Sequence, residues 1–478
     1  MCIKSLASQA LMKATFVARA LSQAVTVSAY VRKALMMPLS SRRWLAAVLA
    51  LGACPAAWAD DVLFENVRIF DGKGATALSA PSNVLVKGNV IARISTSPVE
   101  AEGAERIAGN GRTLMPGLID AHWHAMLVRP TPAESFGDVG YNNLVAGDEA
   151  TDTLMRGFTT VRDVGGPVFG LKRAIDAGVT EGPRIYPSGA VITVTSGHGD
   201  FRQFTDLPRV IGGPLTRMEQ IGGSMVVDSP DEVRVRVREQ LMQGAALVKI
   251  TAGGGVSSPH SPLDVTTFTE PELRAAVEIA DNWGTYVAAH AFTSHAVRIA
   301  IAAGVKCIEH GFLIDEETAK LIAEKDIWLS LQPLPELLRQ GFREGSVERA
   351  KADEVWPGIA RTYELAKKYK IKTAWGTDVL FSRALAQQQG AILASLTRWY
   401  TPAEALSMAT GTNAELLALS GPRNPYPGKL GVVEEGALAD LLLVEGNPLE
   451  NIDLVADPAD NFKIIMKDGV IYKNTLVK

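Results

Sequence analysis

Between residues 116 and 424 the chain alternates short apolar runs with longer segments whose apolar residues recur at helical spacing. This alternation is typical of βα units built around a parallel sheet. The pattern predicts eight strands, which end near His124, Asp163, Ser188, Lys249, His290, His310, Gln332 and Asp378. It also predicts helices at residues 230–243, 270–282, 294–303, 315–325 and 347–369. Eight such units indicate an α/β fold, a (β/α)8 TIM barrel, in which functional residues lie at the carboxyl ends of the strands.

The two ends of the chain have a different pattern, in which short strand-like runs are separated by turns. Such runs occur before the barrel at residues 62–70, 84–86 and 90–94, and after it at 439–444, 462–466 and 470–472. Turn sequences, Lys-Gly-Asn at 87–89 and Lys-Asp-Gly at 467–469, separate some of them. We therefore expect one small β-sandwich domain composed of residues 60–115 and 425–478, beside a catalytic barrel of residues 116–424.

Residues 1–59 are predicted to be an amino-terminal extension that contains a signal peptide. Arg-Arg at 42–43 precedes a ten-residue apolar core, and Ala-Trp-Ala at 57–59 has the small-x-small pattern of a secretory cleavage site. Cleavage there would give an exported protein, periplasmic or secreted, whose only cysteine is Cys307. The alternative is a lipoprotein signal, which would leave a lipid anchor on Cys54.

Composition narrows the range of partners. Lys and Arg number 48 against 52 for Asp and Glu, which gives a formal net charge of −4 without any basic block. Nucleic acid is therefore disfavoured as a partner, and no apolar run reaches the roughly 20 residues of a membrane-spanning helix. Residues 1–36 contain no acidic residue, and we interpret them as an upstream extension of the reading frame. Translation would then start at Met36 or Met37, and Met1 is the alternative start.

Two histidines lie at the end of the first predicted barrel strand. In Gly-Leu-Ile-Asp-Ala-His-Trp-His at 117–124, His122 and His124 are two positions apart, so both rings point to the same side of a strand. Neutral imidazole is a common metal ligand, and the spacing therefore suggests a metal site. For this stretch by itself, two histidines without a shared function remain the alternative.

Four further apolar strands end in a residue that can bind a metal or a proton, namely Lys249, His290, His310 and Asp378. Each has a simple structural alternative. His290 could be a core histidine, Lys249 a surface lysine whose stem covers apolar neighbours, and Asp378 a helix N-cap. However, all seven histidines lie between residues 122 and 310. Five strands with such ends indicate one shared site at one end of the barrel.

In this combination the chain resembles the metal-dependent hydrolases of the amidohydrolase superfamily. The resemblance extends over about residues 60–475 and includes Leu-Met-Pro-Gly at 114–117 and Gly-Ala-Leu-Ala-Asp-Leu at 436–441. It implies two divalent metal ions, expected to be Zn²⁺, and a homo-oligomer. The ligands that the resemblance implies are His122, His124 and Asp378 for the first metal, His290 and His310 for the second, and Lys249, carboxylated by CO₂, as the bridge.

The mechanism that the resemblance implies is attack on an amide by a hydroxide that bridges the two metals. Divalent metals lower the pKa of bound water to about neutrality and polarise the carbonyl. Asp378 would accept the proton of the attacking water and deliver it to the leaving amine.

Two loops make the resemblance more specific. Thr-Ser-Gly-His-Gly at 195–199 and Ile-Thr-Ala-Gly-Gly-Gly at 250–255 are similar to imidazolonepropionase-like proteins, Xaa-Pro and related dipeptidases that act as carboxypeptidases, and ochratoxin-hydrolysing amidases. The implied substrate is a small amide or peptide, such as an N-acyl amino acid, a dipeptide or an ochratoxin-like amide. His198 would contact its carboxylate or carbonyl, with Arg202 and His260 as further candidates. The alternative for His198 is a structural role in the turn.

Other functions stay open at this point. A cyclic-amide hydrolase of the imidazolonepropionase type is the second enzymatic candidate. A mononuclear deaminase fits less well, because it has no use for a bridging lysine. The non-enzymatic alternative is a scaffold protein that keeps the barrel and has lost its metals, which metal analysis of the purified protein would identify.

Overall fold

Strands and helices alternate through the middle of the chain, as the apolar pattern predicts. The computed structural model describes residues 61–258 and 260–476. Its strands are β1 (Val62–Ile69), β2 (Ser82–Lys87), β3 (Val90–Ser95), β4 (Glu105–Ala108), β5 (Thr113–Pro116), β6 (Leu118–Trp123), β7 (Phe158–Asp163), β8 (Arg184–Pro187), β9 (Val191–Thr193), β10 (Ser224–Val226), β11 (Val248–Thr251), β12 (Val287–Thr293), β13 (Cys307–Leu313), β14 (Trp328–Leu331), β15 (Thr373–Trp375), β16 (Leu441–Val444), β17 (Phe462–Lys467) and β18 (Val470–Asn474). Its α-helices are α1 (Pro132–Ser135), α2 (Val139–Met155), α3 (Phe169–Asp176), α4 (Arg217–Ile221), α5 (Pro230–Met242), α6 (Glu270–Asn282), α7 (Ser294–Ala303), α8 (Glu316–Glu324), α9 (Glu336–Gly341), α10 (Val347–Lys368), α11 (Arg383–Ala386), α12 (Gln389–Ala394), α13 (Pro402–Ser407), α14 (Asn413–Ala418) and α15 (Pro458–Asn461).

Two sheets in the middle of the chain consist of parallel strands. One contains β6, β7 and β8, and the other has the order β10-β9-β11-β12-β13-β14-β15. Every residue of β6, β7, β11 and β14 is buried. Parallel strands are usually covered on both faces, which explains why they occur as unbroken apolar runs in the sequence. The predicted α/β class with parallel strands is confirmed.

The two parallel sheets approach each other at two places. The backbone N–H of Asp378, which follows β15, donates to the carbonyl of His122 in β6 at 2.9 Å. On the other side, the N–H of Ala246 before β11 donates to the carbonyl of Pro187 in β8 at 2.7 Å. The first of these bonds brings the carboxyl ends of β6 and β15 together, and the candidate site lies there.

Strands from both ends of the chain form a separate sheet of eight strands. Its order is β18-β17-β16-β5-β1-β2-β3, and β4 pairs with β1. β5 joins the two ends of the chain because it pairs with β1 in parallel and with β16 in antiparallel orientation. The pattern did not predict β4, which has only four residues. The domain boundaries given above stay a prediction.

The five predicted helices are all present, and none differs by more than one residue at either end. The long helix α2 was not predicted. Its buried face carries Asn142, Glu149 and Thr153 beside two alanines and one leucine, so its apolar periodicity is weak. The Gly- and Pro-rich segment at 198–228 contains α4 and β10, and β10 adds a strand to the larger parallel sheet.

Across residues 61–258 and 260–476, no helix combines the length and the apolar character needed to cross a membrane. The predicted signal peptide, Cys54 and the three candidate start residues lie outside the described residues.

Candidate metal centre

His122, His124 and Asp378 come together where β6 and β15 end. One ligand atom from each residue lies within 4.8 Å of the others. Oδ1 of Asp378 is 3.3 Å from Nε2 of each histidine. Asp378 has a φ of 53°, a left-handed conformation that a non-glycine residue adopts when its surroundings hold it there. Asp378 is not a helix N-cap, because the next helix begins at Arg383 and is capped by Ser382.

Hydrogen bonds on the far side of each ring fix the orientation of the two histidines. Nδ1 of His122 is 2.7 Å from Oε2 of Glu309, and Nδ1 of His124 is 2.9 Å from the carbonyl oxygen of Gly165. Both partners accept hydrogen bonds, so each Nδ1 carries a proton and each Nε2, which faces Asp378, is the nitrogen left for a metal. This is the form in which histidine binds a metal.

Glu309 is held in the interior by a buried cation. Glu309 and Arg162 are both 0% exposed. Nη2 of Arg162 lies 2.8 and 2.9 Å from the two carboxylate oxygens. Burial by itself would raise the pKa of Glu309, but Arg162 and His122 beside it hold that pKa well below its usual range. Glu309 therefore stays ionised and continues to accept the hydrogen bond from His122.

His290 and His310 adjoin this group. The ring centroid of His310 is 5.0 Å from that of His122 and 4.7 Å from that of His290. Nδ1 of His310 is 2.7 Å from Oε1 of Gln332, which leaves Nε2 with the lone pair. His290 is oriented the other way, since its Nε2 donates to the carbonyl of Gly254 at 2.9 Å and its Nδ1 keeps the lone pair. Burial lowers the pKa of His310 to about 3 and that of His290 well below its usual range, so both rings are neutral at physiological pH.

Lys249 is buried in β11, which pairs with β12. Only 3% of the residue is exposed, which excludes the alternative of a surface lysine. Burial lowers the pKa of its ammonium group, although the carboxylates of Glu309 and Asp378 act in the opposite direction. The lowered pKa makes the neutral amine, which is the form that reacts with CO₂, easier to reach.

These donors fit a divalent metal such as Zn²⁺. Burial by itself would raise the pKa of Asp378, but the imidazoles of His122 and His124 hold that pKa well below its usual range. Asp378 is therefore an anion. Imidazole nitrogens with free lone pairs and an ionised carboxylate are the ligands that Zn²⁺ takes in proteins.

The three predicted substrate-binding residues occupy different positions. His198 stacks on His290 with ring centroids 4.3 Å apart, and burial lowers its pKa to about 4. Arg202 instead forms an ion pair with Asp200, in which two N···O distances are 2.7 Å. His260 is exposed and packs against the ring of Phe204. The structure thus brings His198 to the histidine cluster, whereas Arg202 and His260 are engaged with other partners.

Sequence reasoning did not assign the residues that orient the predicted ligands, namely Glu309, Gln332, Gly165 and Gly254. Glu309 and Gln332 are polar residues within apolar strands, and a buried polar group needs a partner. That signal was available for these two side chains. The backbone carbonyls of Gly165 and Gly254 could not be recognised in the sequence, since every residue has a backbone carbonyl.

Comparison with known proteins agrees with this chemistry. Residues 113–473 match the model of the amidohydrolase family. Over 390 residues, 75% of this chain and 75% of the relative, the sequence is 32% identical to ochratoxinase from Aspergillus niger. A solved amidohydrolase structure, 35% identical, has a TM-score of 0.80 and covers 87% of this chain and 100% of its own. A prolidase structure in complex with N-methylphosphonate-L-proline, 32% identical, has a TM-score of 0.79 with the same coverage. The chain therefore belongs to the amidohydrolase family.

Proposed function

We propose that this protein is a binuclear metal-dependent amidohydrolase, which cleaves the amide bond of N-acyl amino acids, dipeptides or ochratoxin-like amides. One observation carries the proposal: His122, His124 and Asp378 converge with their ligand atoms within 4.8 Å, and the imidazoles of His290 and His310 adjoin them. The similarity to an ochratoxinase and to a prolidase supports an amide linkage as the bond that is cleaved.

In this proposal His122, His124 and Asp378 bind one metal, and His290 and His310 bind the other through the nitrogens that keep their lone pairs. Lys249, carboxylated by CO₂, would bridge the two. An ammonium group would repel two divalent cations, whereas a carbamate offers two anionic oxygens. The burial of Lys249 and its lowered pKa support this role.

The side chains have separate tasks in the reaction. Two bound metals, expected to be Zn²⁺, would supply a Lewis acid for the carbonyl and a water of lowered pKa. Asp378, an anion at neutral pH, accepts the proton of the attacking water and transfers it to the leaving nitrogen. His198, kept neutral by burial, forms a hydrogen bond with the substrate carbonyl or carboxylate. Glu309 keeps the ring of His122 in its orientation.

We also propose that the two parallel sheets close into one (β/α)8 barrel beside a β-sandwich formed by the ends of the chain. Asn413 supports the closure, since its Nδ2 donates to the carbonyls of Ile119 in β6 and Trp375 in β15, both at 2.8 Å. The bond between Ala246 and Pro187 supports it on the other side. An experimental structure with continuous pairing around eight strands is the expected outcome, and an open edge between β8 and β11 would contradict it.

For the location we propose export and cleavage after Ala59, with an anchor on Cys54 as the alternative, and for the assembly a homo-oligomer. The pattern of residues 42–59 supports export. Fractionation of the native host should give a mature protein that begins at Asp60. A lipidated Cys54 would favour the alternative, and full-length protein in the cytoplasm would contradict export. Sedimentation analysis should give a mass above that of one chain.

The central experiment tests residues 60–478, purified with Zn²⁺ and bicarbonate. We expect about two metal ions per chain and hydrolysis of at least one substrate among Xaa-Pro dipeptides, N-acyl amino acids and ochratoxin A. Asp378→Ala should lose both activity and metal, whereas Asp326→Ala, a matched change on the surface, should lose neither. Activity confined to a cyclic amide would favour the imidazolonepropionase-like alternative, and a metal-free, inactive protein would favour the scaffold.

A further inference from the structure

A glycine-rich loop contacts two histidines of the candidate centre. This loop, called the β11 loop below, contains residues 252–258 and 260–262. The carbonyl of Gly254 accepts the hydrogen bond from Nε2 of His290 at 2.9 Å. Oγ of Ser258 is 2.9 Å from Nδ1 of His198, and it accepts the N–H of Gly199 at 3.3 Å. The loop therefore provides a hydrogen-bond partner to both stacked rings.

The backbone of the same loop lies directly against His198. A Cβ atom at Gly255 would be 2.1 Å from Nδ1 of His198 and 2.5 Å from its Cγ. Only glycine leaves room for the ring at this distance. Because the β11 loop contacts the ring through Gly255 and bonds to it through Ser258, a displacement of the loop would also displace His198.

Lys351, on helix α10, holds this loop. Lys351 is only 8% exposed. The ammonium group donates to three carbonyls of the loop, those of Gly255 at 3.2 Å, Ser258 at 2.6 Å and Ser261 at 2.6 Å. An ammonium group has three N–H donors, so the loop uses them all. Hydrogen bonds from a charged donor are about twice as strong as neutral ones, so one side chain fixes the loop at three points.

We infer that Lys351 is a positioning residue for hydrolysis: it holds the β11 loop so that Ser258 and Gly255 keep His198 in place for the substrate. This inference rests on the proposed function, in which His198 contacts the substrate. Lys351 acts through the loop, because all three of its donors bind loop carbonyls. Its replacement should therefore change the loop first and the substrate contact as a consequence.

Hydrogen–deuterium exchange tests the structural part without any substrate. In Lys351→Met, amides of residues 252–266 should exchange at least about tenfold faster than in the wild type, because the three charged hydrogen bonds are lost. Lys368→Met is the matched control on the same helix, where an exposed lysine pairs with Glu316. It should leave exchange in the loop unchanged. Unchanged exchange in Lys351→Met would overturn the inference, whether or not the protein hydrolyses any amide.

Kinetics test the catalytic part on an amide that the wild type hydrolyses. Lys351→Met should lower kcat/KM by about tenfold to a hundredfold at unchanged metal content, because misplacement of a contact group by about 1 Å has effects of that size. In a Ser258→Ala background the same change should have a much smaller effect, since both act through His198. Equal losses in the two backgrounds, or a normal kcat/KM, would overturn the positioning role.

Two further outcomes remain decisive. If Lys351→Met does not fold, Lys351→Gln keeps part of the bonding and should give faster exchange in the loop and a lower kcat/KM than the wild type; wild-type values for both would overturn the inference. If the wild type hydrolyses no amide, the proposed function fails, and the exchange experiment still decides whether Lys351 holds the loop.

Discussion

Replacement of Arg162 by methionine removes the cation that neutralises Glu309 in the interior. Arg162 binds both oxygens of this carboxylate, at 2.8 and 2.9 Å, and both residues are 0% exposed. Its Nε also donates to the carbonyl of Ala121 at 2.5 Å, and its Nη1 to the hydroxyl of Tyr286 at 3.3 Å. Methionine fills much of the same space, so the substitution removes charge and hydrogen bonds and leaves only a small cavity.

The expected loss follows from the burial of the remaining charge. Removal of one partner from a buried ion pair destabilises a protein by about 3–5 kcal/mol, because the other charge stays in a medium of low dielectric constant. The entropy of unfolding near Tm is about 2.1 cal/mol/K per residue, or roughly 0.9 kcal/mol/K for a chain of about 420 residues. Arg162→Met should therefore lower Tm by about 3–6 °C.

Calorimetry of matched variants measures this effect. Arg234→Met removes a cation of the same type from an exposed pair with Asp231 and Glu278, and it should change Tm by less than about 1 °C. The double variant Arg162→Met/Glu309→Met should recover most of the stability but bind less metal, because His122 loses its acceptor. If Arg162→Met lowers Tm by less than about 1 °C, the premise of an ionised Glu309 paired in the interior is wrong.

Three other experiments address the centre and its surroundings. Lys249→Ala should abolish hydrolysis and lower the metal content, and acetate should restore part of both. Lys249→Arg should not restore them, because a guanidinium group keeps its charge. Near wild-type activity of Lys249→Arg with two metals bound would contradict the bridge. After metal removal, Tm should fall as the pH is lowered from about 6.5. Burial lowers the pKa of His310 to about 3 and that of His198 to about 4, so below pH 6.5 these histidines take up protons in the unfolded chain but stay neutral in the folded protein. An equal Tm at pH 7 and pH 5 would show that these rings are not buried in neutral form. Cys307 is fully buried and burial raises its thiol pKa, so iodoacetamide at pH 8 should label it only after unfolding, and stoichiometric labelling of the native protein would contradict its placement.

Local signals in the sequence predicted the elements that carry the site. The bounds of α6 and α7 could be predicted because local interactions define their ends. Thr269 and Glu272 form a capping box at the start of α6, and Gly304 ends α7 in a left-handed conformation. Because side chains alternate along a strand, the spacing of His122 and His124 predicted that both lie on one side of β6. Since the carboxyl ends of parallel strands lie at one end of the sheet, the strand ends also predicted where the other histidines and Asp378 would lie.

Contacts between distant segments could not be predicted in this way. Glu309 and Arg162 are 147 positions apart, and Lys351 is 90 or more positions from the carbonyls that it binds. Such contacts depend on how helices and strands pack, which no local pattern specifies. Arg202 is a different case, because Asp200, which forms an ion pair with it, is only two residues away. This ion pair is local, and the sequence could have indicated it.

The charges of the proposed centre imply that carboxylation of Lys249 and metal binding depend on each other. Without metals, two buried cations balance two buried carboxylates when Lys249 is protonated. The cations are Arg162 and Lys249, and the carboxylates are those of Asp378 and Glu309. Carboxylation replaces a cation by an anion in a buried space, where an uncompensated charge is costly. Divalent cations compensate this excess of negative charge, and they also repel an ammonium group at the bridging position. Each of the two events therefore stabilises the product of the other, and removal of the metals should cause Lys249 to release its CO₂.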